Sequence, residues 1–445
     1  MAKLLRGGTG SASSFSSGGN LAALDGHGCN GGAFESSLSS EHAAYHDDTH
    51  SDDFEEAAET LLHPDAHEDG GMAMNNRALL EQQRAAIFEL VREMGKQLLT
   101  GKINLVNMSM PVKMFEPRSY LQKLADVWVY SRMLSTAAAQ EDPVLRMKWV
   151  LTWFVAGLQH AFQSWRKPFN PILGETWQAT LGDGSNVYFE QISHHPPVSA
   201  FQLIGPDGEY QYVGYSQPEV QYKGNAVKTT AAGKRKITFR DGTVIDITYP
   251  KYYLRGILYT ARPRGDITGT ARFVDMRNRL CCEVEFGKQC GVEDRLLHRS
   301  DAISGSLFSF ISEPKNASNG GLKERRSLGG LTNAITNALS ITSSSSDKNL
   351  PVLKRQATFA SCSGNWLSHL DWDGQRWWTR AEANSDSWHT DSRPLPSDSS
   401  FRRDLACLLE EPPNWQRAQA AKEELEQRQR ADAKLRKEAS RSAGA

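Results

Sequence analysis

The chain has 445 residues, of which 39% are hydrophobic and 23% are charged, values that are typical of a globular protein. Its most apolar run, 149–162, is shorter than the roughly 20 apolar residues that a membrane-spanning helix needs. The six cysteines form no C-x-x-C pair and no disulfide framework, and residues 1–30 lack the apolar core of a signal peptide. The sequence therefore predicts a protein of the reducing cytoplasm that meets membranes only peripherally.

Charge is distributed unevenly between the beginning of the chain and the rest. Residues 1–76 contain 13 acidic residues and only two basic ones, and they are rich in Gly, Ser, Ala and His. This composition buries too little apolar surface for a core, so we expect a disordered acidic, histidine-rich tail over 1–76. The remaining chain contains 49 basic and 39 acidic residues. Such a basic body favours an anionic partner: a membrane surface, a phosphorylated ligand or a nucleic acid.

One part of the acidic tail resembles a known receptor-binding motif. Phe54, Ala57 and Glu59 lie in an acidic tract that is similar to the short motif, with a central phenylalanine, that binds the endoplasmic-reticulum receptor VAP. The second aromatic residue of that motif is replaced here by Glu55. The resemblance implies a VAP-type receptor as a partner, and a solvated tail without a partner is the alternative.

An apolar stripe of helical spacing runs through residues 77–101. Apolar side chains recur every three to four residues from Leu79 to Leu99, and Gly101 follows as a stop signal. This pattern predicts an amphipathic helix that packs on the body of the protein.

Residues 102–312 combine helices with many short strands. Asp142 followed by Pro143 has the pattern of a helix start. From Trp177 to Phe286, short apolar segments are separated by turn signals such as Asp-Gly, and no helical pattern lies between them. The order of elements predicts a mainly β protein with some α-helix, in which antiparallel strands form a barrel or a sandwich.

The last part of the chain contains an irregular segment followed by regular structure. Residues 313–363 are rich in Ser, Asn, Gly and Lys, which predicts a disordered insertion. Residues 364–445 begin with a tryptophan-rich stretch that we expect to pack in a core. Residues 415–440 contain no proline or glycine, so they predict a long C-terminal helix that ends a C-terminal α/β subdomain over 364–445.

Three motifs that are distant in sequence carry the candidate functional residues. The stretch Glu190–Pro197 contains two adjacent histidines, His194 and His195, before two prolines. The prolines favour extended backbone, so we expect the two histidine side chains to point to opposite faces. The other motifs are Lys167–Glu175, which reads K-P-F-N-P-I-L-G-E, and Lys422–Arg430, whose charged positions 422, 426 and 430 share one helix face.

All three motifs resemble signatures of the oxysterol-binding protein family at every fixed position. The family patterns are E-Q-x-S-H-H-P-P, K-P-x-N-P-x-L-G-E and K-x-x-L-E-x-x-Q-R, and Ser109–Pro117 is similar to a fourth pattern, S-M-P-V-x-x-x-E-P. The resemblance covers roughly 84–312 and 364–437, and it implies a near-closed antiparallel β-barrel around a lipid tunnel. It also implies that the helix over 77–101 is a lid on this tunnel. The candidate lid residues are Ile87, Phe88, Val91 and Leu98.

The family resemblance further implies a ligand. Members bind phosphatidylinositol 4-phosphate at the tunnel mouth, and many exchange it for a sterol that occupies the same tunnel. The residue types fit such a headgroup, because cationic and amide groups donate to phosphate, whereas a carboxylate accepts from ring hydroxyls. The residues implied to bind the headgroup are Lys167, Asn170, His194, His195, Lys422, Glu426 and Arg430.

We therefore expect a lipid-transfer protein that exchanges phosphatidylinositol 4-phosphate for a sterol or another lipid at the membranes of the endoplasmic reticulum, the Golgi or another organelle. It needs no metal ion, no cofactor and no nucleic-acid partner. One alternative is a sensor that binds the phosphoinositide or the sterol without transferring either. The other is a histidine-dependent enzyme, which would need a third metal ligand or an activated nucleophile that no motif supplies.

Overall fold

The computed structural model describes residues 62–94, 110–223, 225–287, 299–312 and 353–443. Within these ranges, six α-helices alternate with strands and short 3-10 turns. The helices are α1 (Arg77–Met94), α2 (Tyr120–Ala125), α3 (Arg132–Ala138), α4 (Pro143–Gly157), α5 (Arg403–Leu408) and α6 (Trp415–Ala443).

Most strands of the described chain belong to one large antiparallel sheet. Sixteen of the eighteen described strands form this sheet, and the second and third strands form a separate parallel pair. In chain order the strands are β1 (Met72–Ala73), β2 (Phe115–Ser119), β3 (Lys167–Phe169), β4 (Thr176–Thr180), β5 (Asn186–His194), β6 (Pro197–Ile204), β7 (Tyr210–Lys223), β8 (Ala226–Ala232), β9 (Arg235–Phe239), β10 (Val244–Thr248), β11 (Lys251–Arg255), β12 (Arg264–Asp275), β13 (Leu280–Phe286), β14 (Ala302–Ser312), β15 (Leu353–Asn365), β16 (His369–Trp372), β17 (Gln375–Thr379) and β18 (His389–Thr390).

The large sheet closes on itself through two long strands that each pair with different partners at their two ends. β7 pairs with β9 through 210–214 and with β8 through 217–223. β12 pairs with β11 through 264–268 and with β10 through 272–275. Because β8 also pairs with β11, and β9 with β10, these six strands form a closed ring. The predicted fold class, mainly β with α-helix and a near-closed antiparallel barrel, is confirmed.

Helix α4 packs on the buried face of the sheet. Asp142 caps it by accepting a hydrogen bond from the amide of Val144, and Pro143 occupies the first helical position. Its side chains are buried around most of the circumference, which is typical of a helix inside a core. Trp153 of this helix meets Tyr212 of β7 edge-on, with 5.4 Å between the ring centroids.

An aromatic cluster joins the sheet to the segment between α2 and α3. The ring centroid of Trp128 lies 5.3 Å from that of Phe189, 4.8 Å from that of Phe201 and 5.2 Å from that of Tyr212. All four side chains are buried. Aromatic pairs of this kind contribute about 0.5–1.5 kcal/mol each beyond the area that they bury, so the cluster stabilises this part of the core.

Two predicted domain boundaries are wrong, and the first is the end of the acidic tail. Residues 62–76 belong to the folded body, because β1 pairs with β12 and both of its side chains are buried. The amide of Gly71 donates to the buried carboxylate of Asp301 at 2.9 Å. The acidic composition of the whole segment concealed this short apolar strand. The rest of the predicted tail, 1–61, lies outside the described residues.

The second wrong boundary is the end of the insertion that was predicted over 313–363. Residues 353–363 form most of β15, which pairs with β14. Many side chains of this strand are exposed. Serine and lysine suit an exposed strand face as well as a linker, so composition alone did not separate the two. Residues 313–352 lie outside the described residues.

The tryptophan-rich stretch packs against α4. Trp366 and Trp372 are buried, and the ring centroid of Trp377 lies 5.0 Å from that of Trp149. Lys148 lies over the rings of Trp372 and Trp377, at 5.4 and 5.5 Å from their centroids. The chain then continues into α6, a helix of 29 residues whose first half packs on the body.

Candidate functional site

A cleft of about 620 Å³ brings the three sequence motifs together. Its walls are the loop that follows β3, the turn between β5 and β6, and one face of α6. A cleft of this size is large enough for a small polar headgroup. The predicted headgroup residues that line it are Asn170, His194, His195, Lys422, Glu426 and Arg430.

Lys167, the seventh predicted residue, lies beside the cleft and contacts Asn170. Its ammonium group donates to Oδ1 of Asn170 at 2.5 Å and lies 4.8 Å from the ring centroid of Phe115. Burial, together with the nearby charges of Lys422 and Arg402, lowers the pKa of Lys167 to about 7.

The face of α6 that lines the cleft carries charges of opposite sign, one helical turn apart. The buried Lys422 donates to Oε1 of Glu426 at 2.6 Å, and Arg430 donates to Oε2 of the same carboxylate at 3.2 Å. The predicted sharing of one face by these three positions is confirmed. Because two cations contact a single carboxylate, this wall of the cleft keeps a net positive charge.

The two histidines lie where β5 turns into β6. Their ring centroids are 4.5 Å apart and the rings meet at 67°, so the prediction that they point to opposite faces is wrong. The reason is that His195 is already the first residue of the turn and no longer part of the extended strand. Nδ1 of His194 lies 3.4 Å from Nε2 of Gln429, whereas His195 is exposed. Burial, and then the neighbouring His195, lower the pKa of His194.

A buried ion network holds the loop that carries Lys167 and Asn170. Arg402 donates to Glu175 at 2.9 Å and to Asp404 at 2.6 Å, and all three side chains are buried. Arg402 also donates to the carbonyl of Asn170 at 2.8 Å. Removing one partner of a buried ion pair costs about 3–5 kcal/mol, so this network keeps the loop in place beside the cleft.

The cleft combines three kinds of surface. Cations and amides suit phosphate, Glu426 can accept from a hydroxyl group, and Phe115, Phe169, Ile172 and Leu173 form an apolar wall. In the part of the chain that the structure describes, no three His, Cys, Asp or Glu side chains are grouped so that they could hold a metal ion. The arrangement therefore suits an amphipathic ligand with a phosphorylated, hydroxylated head.

Comparison with known proteins identifies the family. A family model described as "Oxysterol-binding protein" matches residues 96–443. This chain belongs to the oxysterol-binding protein family. Oxysterol-binding protein 9 of Dictyostelium discoideum is 32% identical over 344 residues, which are 77% of this chain and 74% of that protein. Oxysterol-binding proteins bind and transport lipids, so lipid binding is the general function of the chain.

Other oxysterol-binding relatives are longer or more distant. Oxysterol-binding protein-related protein 5 of Mus musculus is 34% identical over 212 residues, which are 46% of this chain and only 24% of that protein. The crystal structure of Osh3 ORD with PI(4)P from Saccharomyces cerevisiae has a TM-score of 0.56 and 20% identity, covering 79% of this chain and 85% of that one. Osh1 ORD with ergosterol has a TM-score of 0.54 and 19% identity, covering 81% and 89%. These two structures share the fold.

None of the helices in the described ranges is both long enough and apolar enough to cross a membrane.

Sequence reasoning missed several residues of α6 that line the cleft, among them Gln429 and Arg436. Gln429 is a fixed position of the oxysterol-binding signature, and Arg436 follows seven residues later on the same side of the helix. Continuing the helical face by two turns beyond the signature would have found it. The charge of Arg436 also contributes, after burial and His195, to lowering the pKa of His194.

The predicted lid residues are only partly described. Ile87 packs in the apolar cluster that contains Phe115, and Phe88 is 57% exposed. The side chain of Val91 and the whole of Leu98 lie outside the described residues. Helix α1 therefore packs in the same apolar cluster as Phe115, which lines the cleft, and its function as a lid stays a prediction.

The candidate VAP-binding residues, Phe54, Ala57 and Glu59, lie outside the described residues. A VAP-type receptor and a location at endoplasmic-reticulum or Golgi membranes stay predictions.

Proposed function

We propose that this protein binds phosphatidylinositol 4-phosphate in the cleft and exchanges it for a sterol between two membranes. The observation that carries the proposal is the convergence of His194, Lys422 and Arg430 on the cleft that contains Glu426, with Lys167 beside it. A phosphate monoester needs cations, and the ring hydroxyls of inositol need an acceptor, which Glu426 supplies. An inositol phosphate carries both kinds of group on one small ring.

The number of cations is sufficient for a dissociation constant in the micromolar range. A charge-assisted hydrogen bond contributes about 1.5–3 kcal/mol, so three or four such bonds supply the roughly 8 kcal/mol of a micromolar complex. The partial desolvation of Lys167 strengthens its interaction with an anion, because little water screens it. The apolar wall around Phe169 then lies where the acyl chains leave the headgroup.

The ligands of the related structures support the two lipid classes in this proposal. Osh3 ORD was solved with PI(4)P, and Osh1 ORD with ergosterol and with cholesterol. If one tunnel takes either lipid, the phosphoinositide and the sterol exclude each other. Mutual exclusion is what couples the movement of one lipid to the return of the other.

A vesicle-to-vesicle transfer assay tests the exchange. Donor vesicles contain a fluorescent sterol, and acceptor vesicles either contain or lack phosphatidylinositol 4-phosphate. We expect sterol transfer to accelerate several-fold when the phosphoinositide is present, with the phosphoinositide moving in the opposite direction. Headgroup binding without net movement of either lipid would favour the sensor. Sterol transfer that is indifferent to the phosphoinositide would contradict the exchange.

A further inference from the structure

The positive charge of α6 continues beyond the cleft as a straight row. Arg430, Lys434, Lys437 and Arg441 are four, three and four residues apart, so they lie along one side of the helix. At 1.5 Å per residue, the row is about 16 Å long. All four side chains are exposed. We call these four residues the basic row.

The basic row borders the cleft at one end only. Arg430 lines the cleft, whereas the lining includes none of Lys434, Lys437 and Arg441. An α-helix turns by about 100° per residue. The centre of the row is therefore rotated by roughly 80° about the helix axis from the centre of the face that lines the cleft. A surface that contacts the row therefore also approaches the mouth of the cleft.

The helix does not neutralise this charge itself. In the first half of α6, cations pair with carboxylates, as in Lys422 with Glu426 and Arg428 with Glu424. Within the described residues, the last three cations of the basic row form no ion pair. Residues 431–442 contain four basic and two acidic residues and are exposed on every side of the helix. The resulting net charge of +2 on an unpacked stretch of helix favours an anionic partner.

We propose that the basic row docks the protein on an anionic lipid bilayer, with the mouth of the cleft directed at the lipid headgroups. The inference rests on the proposed function, since only a headgroup that remains in a bilayer requires the cleft to be brought to a surface. A flat anionic surface can contact all four residues of a straight row at once. The row contains no apolar side chain, so charge and not hydrophobic insertion accounts for the binding. Each lysine or arginine near such a surface contributes about a fivefold factor to partitioning.

A charge-reversal variant tests the docking. Lys434→Glu, Lys437→Glu and Arg441→Glu together leave the cleft residue Arg430 in place. Glutamate has a helix propensity close to that of lysine, so circular dichroism should show α6 retained. Co-sedimentation with phosphatidylcholine–phosphatidylserine vesicles that lack phosphoinositide should fall by at least ~100-fold. Neutralisation of the same three positions by glutamine should give a smaller loss of vesicle binding.

The matched control removes the same amount of charge elsewhere. Lys236→Glu, Lys251→Glu and Arg279→Glu change three exposed residues of the barrel that do not line the cleft. We expect this control to bind vesicles within a few-fold of the wild type. An equal loss in both variants would mean that net charge and not the row determines binding, and would overturn the proposal. Wild-type protein that binds RNA but no anionic vesicle would overturn it as well.

Titration with soluble inositol 1,4-bisphosphate separates docking from headgroup recognition. The row variant should keep the affinity of the wild type for this soluble headgroup. Loss of soluble headgroup binding in the row variant would make the row part of the cleft and overturn the docking role. Vesicle docking that depends on the row, in a wild-type protein that ignores the soluble headgroup, would support docking while contradicting the proposed function.

Discussion

The pKa of Lys167 depends strongly on the position of this side chain beside the cleft. Its ammonium group is desolvated and lies near Lys422 and Arg402, which brings its pKa to about 7. An arriving phosphate favours the charged form and raises that pKa again. If a phosphorylated headgroup binds beside Lys167, we therefore expect its binding to be coupled to proton uptake.

Calorimetric titration of inositol 1,4-bisphosphate, in buffers of different ionisation enthalpy, measures this coupling. We expect net proton uptake at neutral pH, and an affinity that falls as the pH rises above about 7, where Lys167 loses its proton in the free protein. Lys167→Met should remove most of the uptake. Lys236→Met, at an exposed lysine of β9, is the control that should leave it unchanged. Equal uptake in both variants would contradict the role of Lys167.

Residue identities were easier to predict than residue environments. The signatures supplied all seven headgroup candidates by name, and six of them line one cleft. The orientation of His195 was wrong, because strand alternation no longer applies once the chain turns. The lowered pKa of Lys167 could not be predicted from the sequence either. It depends on burial beside the ring of Phe115 and on the charges of Lys422 and Arg402, which are distant in sequence.

At the scale of elements, a strap over 62–76 ties the start of the described chain to the barrel. The buried carboxylate of Asp301 accepts from the amide of Gly71, from Arg299 and from the side-chain amide of Asn365. Gly71 has φ +82°, and a Cβ there would lie 2.3 Å from a carbonyl of β12, so only glycine fits this close approach. The strap leads directly into α1, which it anchors at one end.

Asp301→Ala should release the strap. Removing a buried, hydrogen-bonded carboxylate costs about 3–5 kcal/mol, and hydrogen exchange of residues 62–76 should accelerate more than that of the cleft segments. Glu68→Ala is the matched control, because Glu68 is an exposed acid of the same strap whose carboxylate pairs with Arg262 at the surface. We expect it to cost no more than about 1 kcal/mol. An unchanged exchange rate of the strap in Asp301→Ala would show that Asp301 does not anchor it.

Elements with strong local signals were predictable, and short or exposed elements were not. The start of α4 follows from Asp142 and Pro143, and α6 follows from 26 residues without a helix breaker. β1 has only two residues, too few to show an alternating pattern. β15 carries its polar residues on an exposed face, where a strand and a linker have the same composition.

At the scale of the whole molecule, the barrel and the cleft both depend on long-range contacts. The alternating strand pattern was compatible with either a barrel or a sandwich. The structure is a barrel because β7 and β12 each pair with different partners at their two ends. The cleft joins Lys167–Glu175 to Lys422–Arg430 across more than half of the chain. No local pattern predicts that meeting, and only the family resemblance made it an expectation.

Cleft, barrel and basic row together support the proposal that the protein docks on an anionic membrane and binds a phosphorylated lipid by its headgroup. The central claim is that the cleft is a phosphoinositide headgroup site. Its cations come from three separate segments, so removing the histidine pair should weaken headgroup binding while leaving the core of the barrel intact. The two histidines are largely outside that core, which makes them suitable for a clean test.

Lipid mass spectrometry of the protein purified from a eukaryotic host is the most direct measurement. The samples are the wild type, the double variant His194→Ala/His195→Ala, and His389→Ala as a control at an exposed histidine away from the cleft. We expect the wild type and the control to carry phosphatidylinositol 4-phosphate, and the double variant to lose it while keeping the other lipid. Equal phosphoinositide recovery from the wild type and the double variant would contradict the account.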